Sequence, residues 1–297
     1  MKAACCPRTR EDVSLPSKRR IVKHLPKSPT AAVPCTIAGF DPSSGAGITA
    51  DLQVFQDHGL EGVSAVTALT VQFYRGMLRV EPVSPTFLQE TLNLLRRELA
   101  IAGVKIGMLA TAGLVEVVAE FLRNAGLPPE RVVLDPVIRA SSGAQLLEPE
   151  GVRRLVEDLL PLAGWVTPNL DEAGTLVGVG VGMVSRDGVP EVARRIQSLA
   201  SKSGSTPAPS TGSSLNVVVT GGHLDPPDDF LLTAAGEELW IPGSRVESRS
   251  RHGTHGTGCV FSSALLCRLL AGDSPVDAVR GAKAAVVRRL LHGSSGQ

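Results

Sequence analysis

The chain has 297 residues, and its 30 basic side chains stand against 29 acidic ones, so the net charge is close to zero. Such a balance carries no electrostatic footprint for a nucleic acid or a membrane surface and points instead to a small-molecule partner. No apolar run reaches the roughly 20 residues needed to cross a bilayer, the N-terminus has no secretory apolar core, and the five cysteines lack the paired spacing of zinc or redox sites. A soluble protein in a reducing cytoplasm is the expectation.

Residues 1–33 are expected to be a disordered basic arm. Lys2, Arg8, Arg10, Lys18, Arg19, Arg20, Lys23 and Lys27 meet only Glu11 and Asp12, among prolines and without periodicity. From residue 34 short apolar runs alternate with amphipathic stretches. They predict strands over 36–39, 62–70, 103–108, 131–135, 164–167 and 217–220. The clearest helices are predicted over 85–99, 111–124, 149–160, 190–200 and 258–271, with 275–291 closing the chain. Strand–helix alternation predicts a doubly wound, mostly parallel sheet in one domain spanning 34–297. Residues 201–214, SKSGSTPAPSTGSS, predict a low-complexity surface loop.

The strongest chemical signal is His255-Gly256-Thr257-Gly258-Cys259, a glycine-rich turn opening into the apolar run 260–270. Glycines let successive backbone N–H groups converge, and the positive end of a following helix adds attraction for phosphate. Cys259 falls in the first helical turn, where the same field is expected to lower a thiol pKa and make it a base or a polar contact for a hydroxyl. An ordinary helix-start cysteine is the competing reading.

Asp51 follows the Gly-rich stretch 39–47 at a probable helix start; it reads equally as a ligand for a heterocycle or as plain dipole stabilisation. Asp135 ends a predicted central strand, where open α/β sheets bind ligands. Asn169 and Glu172 are one helical turn apart after another strand. Dispersed oxygen ligands of this kind suit a hydrated magnesium ion beside a nucleotide, and N-capping by Asn169 can coexist with that role. The six histidines have no metal spacing, so no zinc is expected.

In this order, TIAGFDPSSGAGITADLQVF (36–55), VTALTVQ (66–72), KIGML (105–109), VVLDPV (132–137), TPNLDEA (167–173), TGGHL (220–224) and HGTGCVFSSAL (255–265) resemble the hydroxymethylpyrimidine and phosphomethylpyrimidine kinases of the ribokinase-like superfamily. The resemblance covers about residues 36–291. It implies a three-layer α/β/α sandwich and ATP-dependent phosphorylation of hydroxymethylpyrimidine and then its monophosphate, with magnesium, on the path to thiamine. It implies a substrate site of Gly39, Ala46, Asp51, Gln72, Met108 and Cys259, with Gln72 and Asp51 reading the amine and ring nitrogens. It further implies that Gly256, Thr257, Gly258 and Cys259 form the catalytic anion hole, and that Asp135 and Glu172 serve the metal. Asp135, Asn169, Thr220 and Lys283 are implied beside the nucleotide, and a homodimer is the family's expectation.

The chain departs from the family pattern at Thr220, where many relatives carry Lys, at Phe73-Tyr74 in place of Asn-Thr, at Arg139, and in lacking a glycine-rich C-terminal tail. Loss of a mobile cation at 220 predicts weaker ATP binding unless Arg139 or Lys283 compensates. Pyridoxal kinase of the same superfamily and a catalytically weak pyrimidine-binding protein are the alternatives.

Overall fold

The computed structural model describes residues 32–73, 76–140, 143–202, 215–250 and 252–292. Most of the basic arm and the 203–214 loop therefore lie outside the described residues, as does Tyr74. Two edges of those predictions are corrected: Val33 already belongs to the first strand, and residues 201–202 complete a helix.

The chain runs β1 (Val33–Phe40), α1 (Gly47–Asp57), β2 (Val63–Phe73), β3 (Gly76–Pro82), α2 (Pro85–Glu98), β4 (Ile101–Ile106), α3 (Ala112–Ala125) and β5 (Val132–Leu134). It continues through α4 (Pro149–Arg154), β6 (Trp165–Val166), α5 (Leu170–Leu176), α6 (Val189–Lys202), β7 (Asn216–Val219), β8 (Asp229–Leu232), β9 (Glu238–Ile241), α7 (Thr257–Leu270) and α8 (Pro275–His292). The strands form one nine-stranded sheet in the order β3-β2-β1-β4-β5-β6-β7-β8-β9. Pairings from β2 through β7 are parallel, whereas β3, β8 and β9 join antiparallel.

Period-two alternation splits the strands between two cores. Val132, Leu134, Val217 and Val219 point into the core beneath α2, α3, α5 and α6, while Val133, Val218 and Trp165 point into the core beneath α1, α7 and α8. The result is the expected α/β/α sandwich. Helix starts follow local chemistry: Ser84 caps α2 by accepting from Phe87 N at 3.2 Å, with Pro85 at the first helical position. The predicted helix over 149–160 is interrupted. After α4 the chain widens into a π turn at Leu155–Leu159 and tightens into a 3₁₀ turn at Leu160–Leu162, where Pro161 has no N–H to continue the ladder.

A buried ion pair crosses the layer between β4 and α1. Lys105 Nζ lies 2.9 Å from both Asp51 oxygens, and both side chains have no exposure. Thr36 of β1 donates to Asp51 Oδ2 at 2.6 Å and Ser263 of α7 donates to Oδ1 at 2.8 Å. Burial alone would depress the ammonium pKa, but the Asp51 carboxylate wins and holds it above its ordinary value. Removing one member strands the other charge, which costs about 3–5 kcal/mol. Lys105→Met is therefore expected to lower the unfolding free energy by that order in urea titrations. The double variant Lys105→Met/Asp51→Asn should lose less than the sum of the two single changes; strict additivity would mean that the pair does not act as a unit.

Candidate active site

Two glycine-rich loops meet at one end of the sheet, between β1 and α1 and ahead of α7. Gly256 has φ +79, and a side chain there would put its Cβ 1.9 Å from the Gly45 carbonyl oxygen, while a Cβ at Gly45 would lie 2.5 Å from the His255 ring. Only glycine permits that backbone conformation and approach. The loops are also tied by polar groups. His255 Nε2 lies 2.9 Å from Asp41 Oδ2, and Arg289 of α8 donates to the Ser44 and Gly45 carbonyls at 3.4 Å.

Gly256 caps α7 without any side-chain acceptor, and Thr257 N turns back to the Thr254 carbonyl at 3.4 Å, so the N–H groups of Gly258 and Cys259 are the ones of the first turn that face an anion. The backbone N–H of Gly47, at the start of α1, lies near the Cys259 sulfur and acts to favour its thiolate. Two helix N-termini thus converge on Cys259. The expectation of a lowered thiol pKa is corrected here: burial pushes the Cys259 thiol up to about 12. The Asp51 and Asp135 charges add to this rise, and together they outweigh Lys105 and the Gly47 N–H.

Asp135 stands beside this loop, its Oδ2 being 3.9 Å from where a Gly258 Cβ would sit and accepting from Ser262 Oγ at 3.0 Å. Glu172 is buried with it. Asn169 and Glu172 form a capping box, Glu172 N donating to Asn169 Oδ1 at 3.0 Å and Asn169 N to Glu172 Oε2 at 2.9 Å. Burial, then the neighbouring Asp135 charge, pushes the Glu172 carboxyl up to about 8; burial likewise raises Asp135 against the pull of Lys105 and Ser262. Two carboxylates crowded at low dielectric are relieved by a cation, and an all-oxygen pair fits a hydrated divalent ion shared with phosphates. Among the described residues there is no cluster of three or more His, Cys, Asp or Glu able to hold a metal alone.

Thr220 joins Asn169 in an isolated parallel bridge, its N–H donating to the Pro168 carbonyl at 2.9 Å. Lys283 reaches the same region indirectly: Nζ donates to Asp229 Oδ2 at 2.7 Å and to the Pro227 carbonyl at 2.8 Å, and Asp229 accepts from Gly221 N. Arg139 is exposed, its backbone bridged to Gln145.

Gly39, Ala46, Gln72 and Met108 gather near the first loop. A Cβ at Gly39 would lie 3.1 Å from Met108 Sδ; Ala46 N donates to Asp41 Oδ2 at 2.9 Å, and the Gln72 side chain is near enough to help hold that carboxyl below its ordinary pKa. Met108 also belongs to a small apolar cluster with Ala68, Ala110 and Leu146. A cavity of about 330 Å³ adjoins that cluster at Ala110 and Leu146 and shares no residue with the phosphate-type loop. Asp51 is the exception. It lies beneath the site rather than on its wall, with its carboxylate enclosed by Lys105, Thr36 and Ser263. Asp41, Lys105, Ser262 and Ser263 are site-supporting groups that the motifs alone do not single out; a lysine in the middle of an apolar strand and paired serines in an apolar helix are their visible signals.

Residues 41–295 match the family described as phosphomethylpyrimidine kinase. The hydroxymethylpyrimidine/phosphomethylpyrimidine kinase of Haemophilus influenzae is 36% identical over 262 residues, covering 86% of this chain and 90% of the relative. Among solved structures, the phosphomethylpyrimidine kinase of Clostridium difficile superposes with a TM-score of 0.70 at 30% identity, over 87% of this chain and 99% of the other. The ADP complex of Bacillus subtilis pyridoxal kinase superposes with 0.71 at 30% identity, over 85% and 89%. The match over most of the chain, with the ordered loops and carboxylates just described, makes this protein a member of the phosphomethylpyrimidine kinase family.

Proposed function

We propose that this chain is an ATP-dependent kinase that phosphorylates the hydroxymethyl group of 4-amino-5-hydroxymethyl-2-methylpyrimidine and then its monophosphate, in thiamine biosynthesis. The observation that carries the reading is the convergence of two helix N-termini on Cys259 beside Asp135, in a chain of this family. Residues 34–297 act as the kinase domain. A cytoplasmic location is part of the reading; free Cys35, Cys259 and Cys267 support it, and among the described residues no helix is long and apolar enough to cross a membrane.

In the proposed reaction the substrate hydroxyl oxygen bonds to the γ-phosphorus, the bond from phosphorus to the ADP oxygen breaks, and the hydroxyl proton passes to solvent late, as the new ester forms. Backbone N–H groups of Gly258 and Cys259 receive the charge on the transferring phosphoryl oxygens. Gly39, Ala46, Gln72 and Met108 hold the pyrimidine, with Asp51 bracing α1 from below. Asn169 and Thr220 flank the nucleotide. Asp135 and Glu172 would hold a hydrated magnesium ion, whose chemistry is neutralisation of the phosphate charge.

A thiol with a pKa pushed up to about 12 is protonated at neutral pH, so Cys259 orients the hydroxyl rather than deprotonating it. A loose phosphoryl-transfer transition state loses that proton late and needs little base help. Cys259→Ala is therefore expected to lower kcat by less than about a hundredfold, below the usual range for loss of a general base, in a coupled assay of ATP consumption. A loss of about ten-thousandfold would assign it base catalysis. Thr220→Lys is expected to lower the KM for ATP severalfold, since it restores a cation at the strand end beside Asn169; an unchanged KM removes Thr220 from the nucleotide contacts.

A second reading, pyridoxal kinase, is favoured by the structural match to the Bacillus subtilis enzyme. Relative kcat/KM on hydroxymethylpyrimidine and pyridoxal decides between them. Homodimerisation is supported by an apolar row on β2 and β3, where Leu69, Val71, Phe73 and Leu78 are exposed, Leu78 by 89%. Light scattering should give the dimer mass for the wild type and the monomer mass for Phe73→Glu/Leu78→Glu; a wild-type monomer sinks the dimer proposal.

A further inference from the structure

We propose that His255 is a positioning residue: its hydrogen bond to Asp41 clasps the loop that opens α7 to the loop that opens α1, and so sets the anion hole at transfer distance from the substrate hydroxyl. The inference rests on the kinase reading of the site.

Asp41 is the centre around which the first loop folds. Its side chain is 2% exposed. Ser43 N and Ser43 Oγ donate to Oδ1 at 2.8 and 2.7 Å, Ala46 N donates to Oδ2 at 2.9 Å, and Ser44 N donates to the Asp41 carbonyl at 3.0 Å. All of these donors come from the loop itself. His255 Nε2, 2.9 Å from Oδ2, comes from 214 positions away. Burial alone would raise the carboxyl pKa, but the His255 and Ser43 hydrogen bonds hold it well below the usual carboxylate range. An ionised carboxylate only accepts, so Nε2 is a protonated ring nitrogen and the donor.

The backbone is cut to receive that ring. A Cβ at Gly45 would lie 2.5 Å from His255 Cδ2 and 3.1 Å from His252 Nδ1, so the missing side chain at 45 is the slot in which the imidazole sits. The next residue after His255 is Gly256, the cap of α7, packed against the Gly45 carbonyl. A fixed ring at 255 therefore fixes the chain where it enters α7, and with it the direction of the Gly258 and Cys259 N–H groups. Donors aimed at a transferring phosphoryl group act only when their aim is set in advance. The first loop carries Ala46 of the pyrimidine site, so the clasp joins the part that holds the nucleophile to the part that receives the phosphoryl charge.

The test is a coupled ATP-consumption assay with hydroxymethylpyrimidine on the wild type, His255→Ala, His255→Gln, Gly45→Ala and Gly45→Ala/His255→Ala, with kcat referred to folded protein measured by circular dichroism on the same samples. His255→Ala is expected to lower kcat by roughly tenfold to a hundredfold, the scale of an ångström misplacement. Both KM values should change little, because the lost alignment matters only in the transition state. A glutamine at 255 carries an amide donor of similar reach, and His255→Gln should recover most of kcat. Gly45→Ala fills the slot and should lose as much as His255→Ala, while the double variant should lose little more than either. An unchanged kcat in His255→Ala overturns the clasp. So does a glutamine no better than alanine, a loss carried by KM instead of kcat, or losses that multiply in the double variant; each leaves the kinase reading standing. A wild type that consumes no ATP with hydroxymethylpyrimidine brings down the kinase reading and this inference with it.

Discussion

Lys105 rises from β4 into the layer under α1 and α7 and ends on Asp51, in a place where neither charge touches water. The same carboxylate takes hydroxyl donors from β1 and α7, so one anion joins two strands and two helices. Its position matters because α1 and α7 are the helices whose N-termini meet at Cys259. A rotation of either helix about its axis would break a hydrogen bond to a buried charge, and such bonds are among the stronger ones a protein makes. Apolar packing in this layer, from Phe55 and Trp165 to Ala264, Ala278 and Ala282, is non-directional and tolerates small rotations. The ion pair does not.

That buried frame explains which parts of the fold are legible from residues alone. Parallel strands covered on both faces read as continuous apolar runs, so the predicted strands at β1, β4, β5 and β7 fall close to their observed bounds. The antiparallel strands escape prediction for physical reasons. β3 has one half-solvated face and pairs back on β2, and β8 and β9 are four residues each, too short for a periodic signal to separate them from turns. Asp51 reads equally as a surface dipole partner or a ligand because a helix-start acid has no sequence mark that distinguishes water from a lysine 54 positions later. Ser262 and Ser263 sit inside an otherwise apolar helix, and their partners, Asp135 and Asp51, come from other elements.

Cys259 illustrates how opposing fields are decided by magnitude. A helix N-terminus favours a thiolate, and Lys105 adds to that effect, but the dipole acts only over the first turn and is worth about 1 kcal/mol or less at ordinary sites. Burial and the two carboxylates act in the other direction and prevail. The consequence for mechanism is coherent: a site that keeps its cysteine protonated relies on alignment and charge neutralisation, which are the dominant contributions in phosphoryl transfer. Local sequence carries the dipole argument; only the assembled site carries the desolvation that opposes it.

The nucleotide side is where the departure from the family pattern has a structural consequence. Arg139 and Lys283 are the cations that could stand in for the missing lysine at 220. Arg139 is exposed, and its backbone is bridged to Gln145. Lys283 is nearby but already committed, its ammonium holding Asp229 and the Pro227 carbonyl. Burial raises the Asp229 carboxyl and the Lys283 ammonium lowers it, so drawing the ammonium toward a phosphate would leave that acid buried without its cation, at a cost of the same order as the attraction between ammonium and phosphate. Thr220 can offer a phosphate only a hydroxyl, and that hydroxyl lies 3.4 Å from the Pro168 carbonyl. In the proposed reaction, charge neutralisation at this end would rest more on a cation held by Asp135 and Glu172 than it would with a lysine at 220.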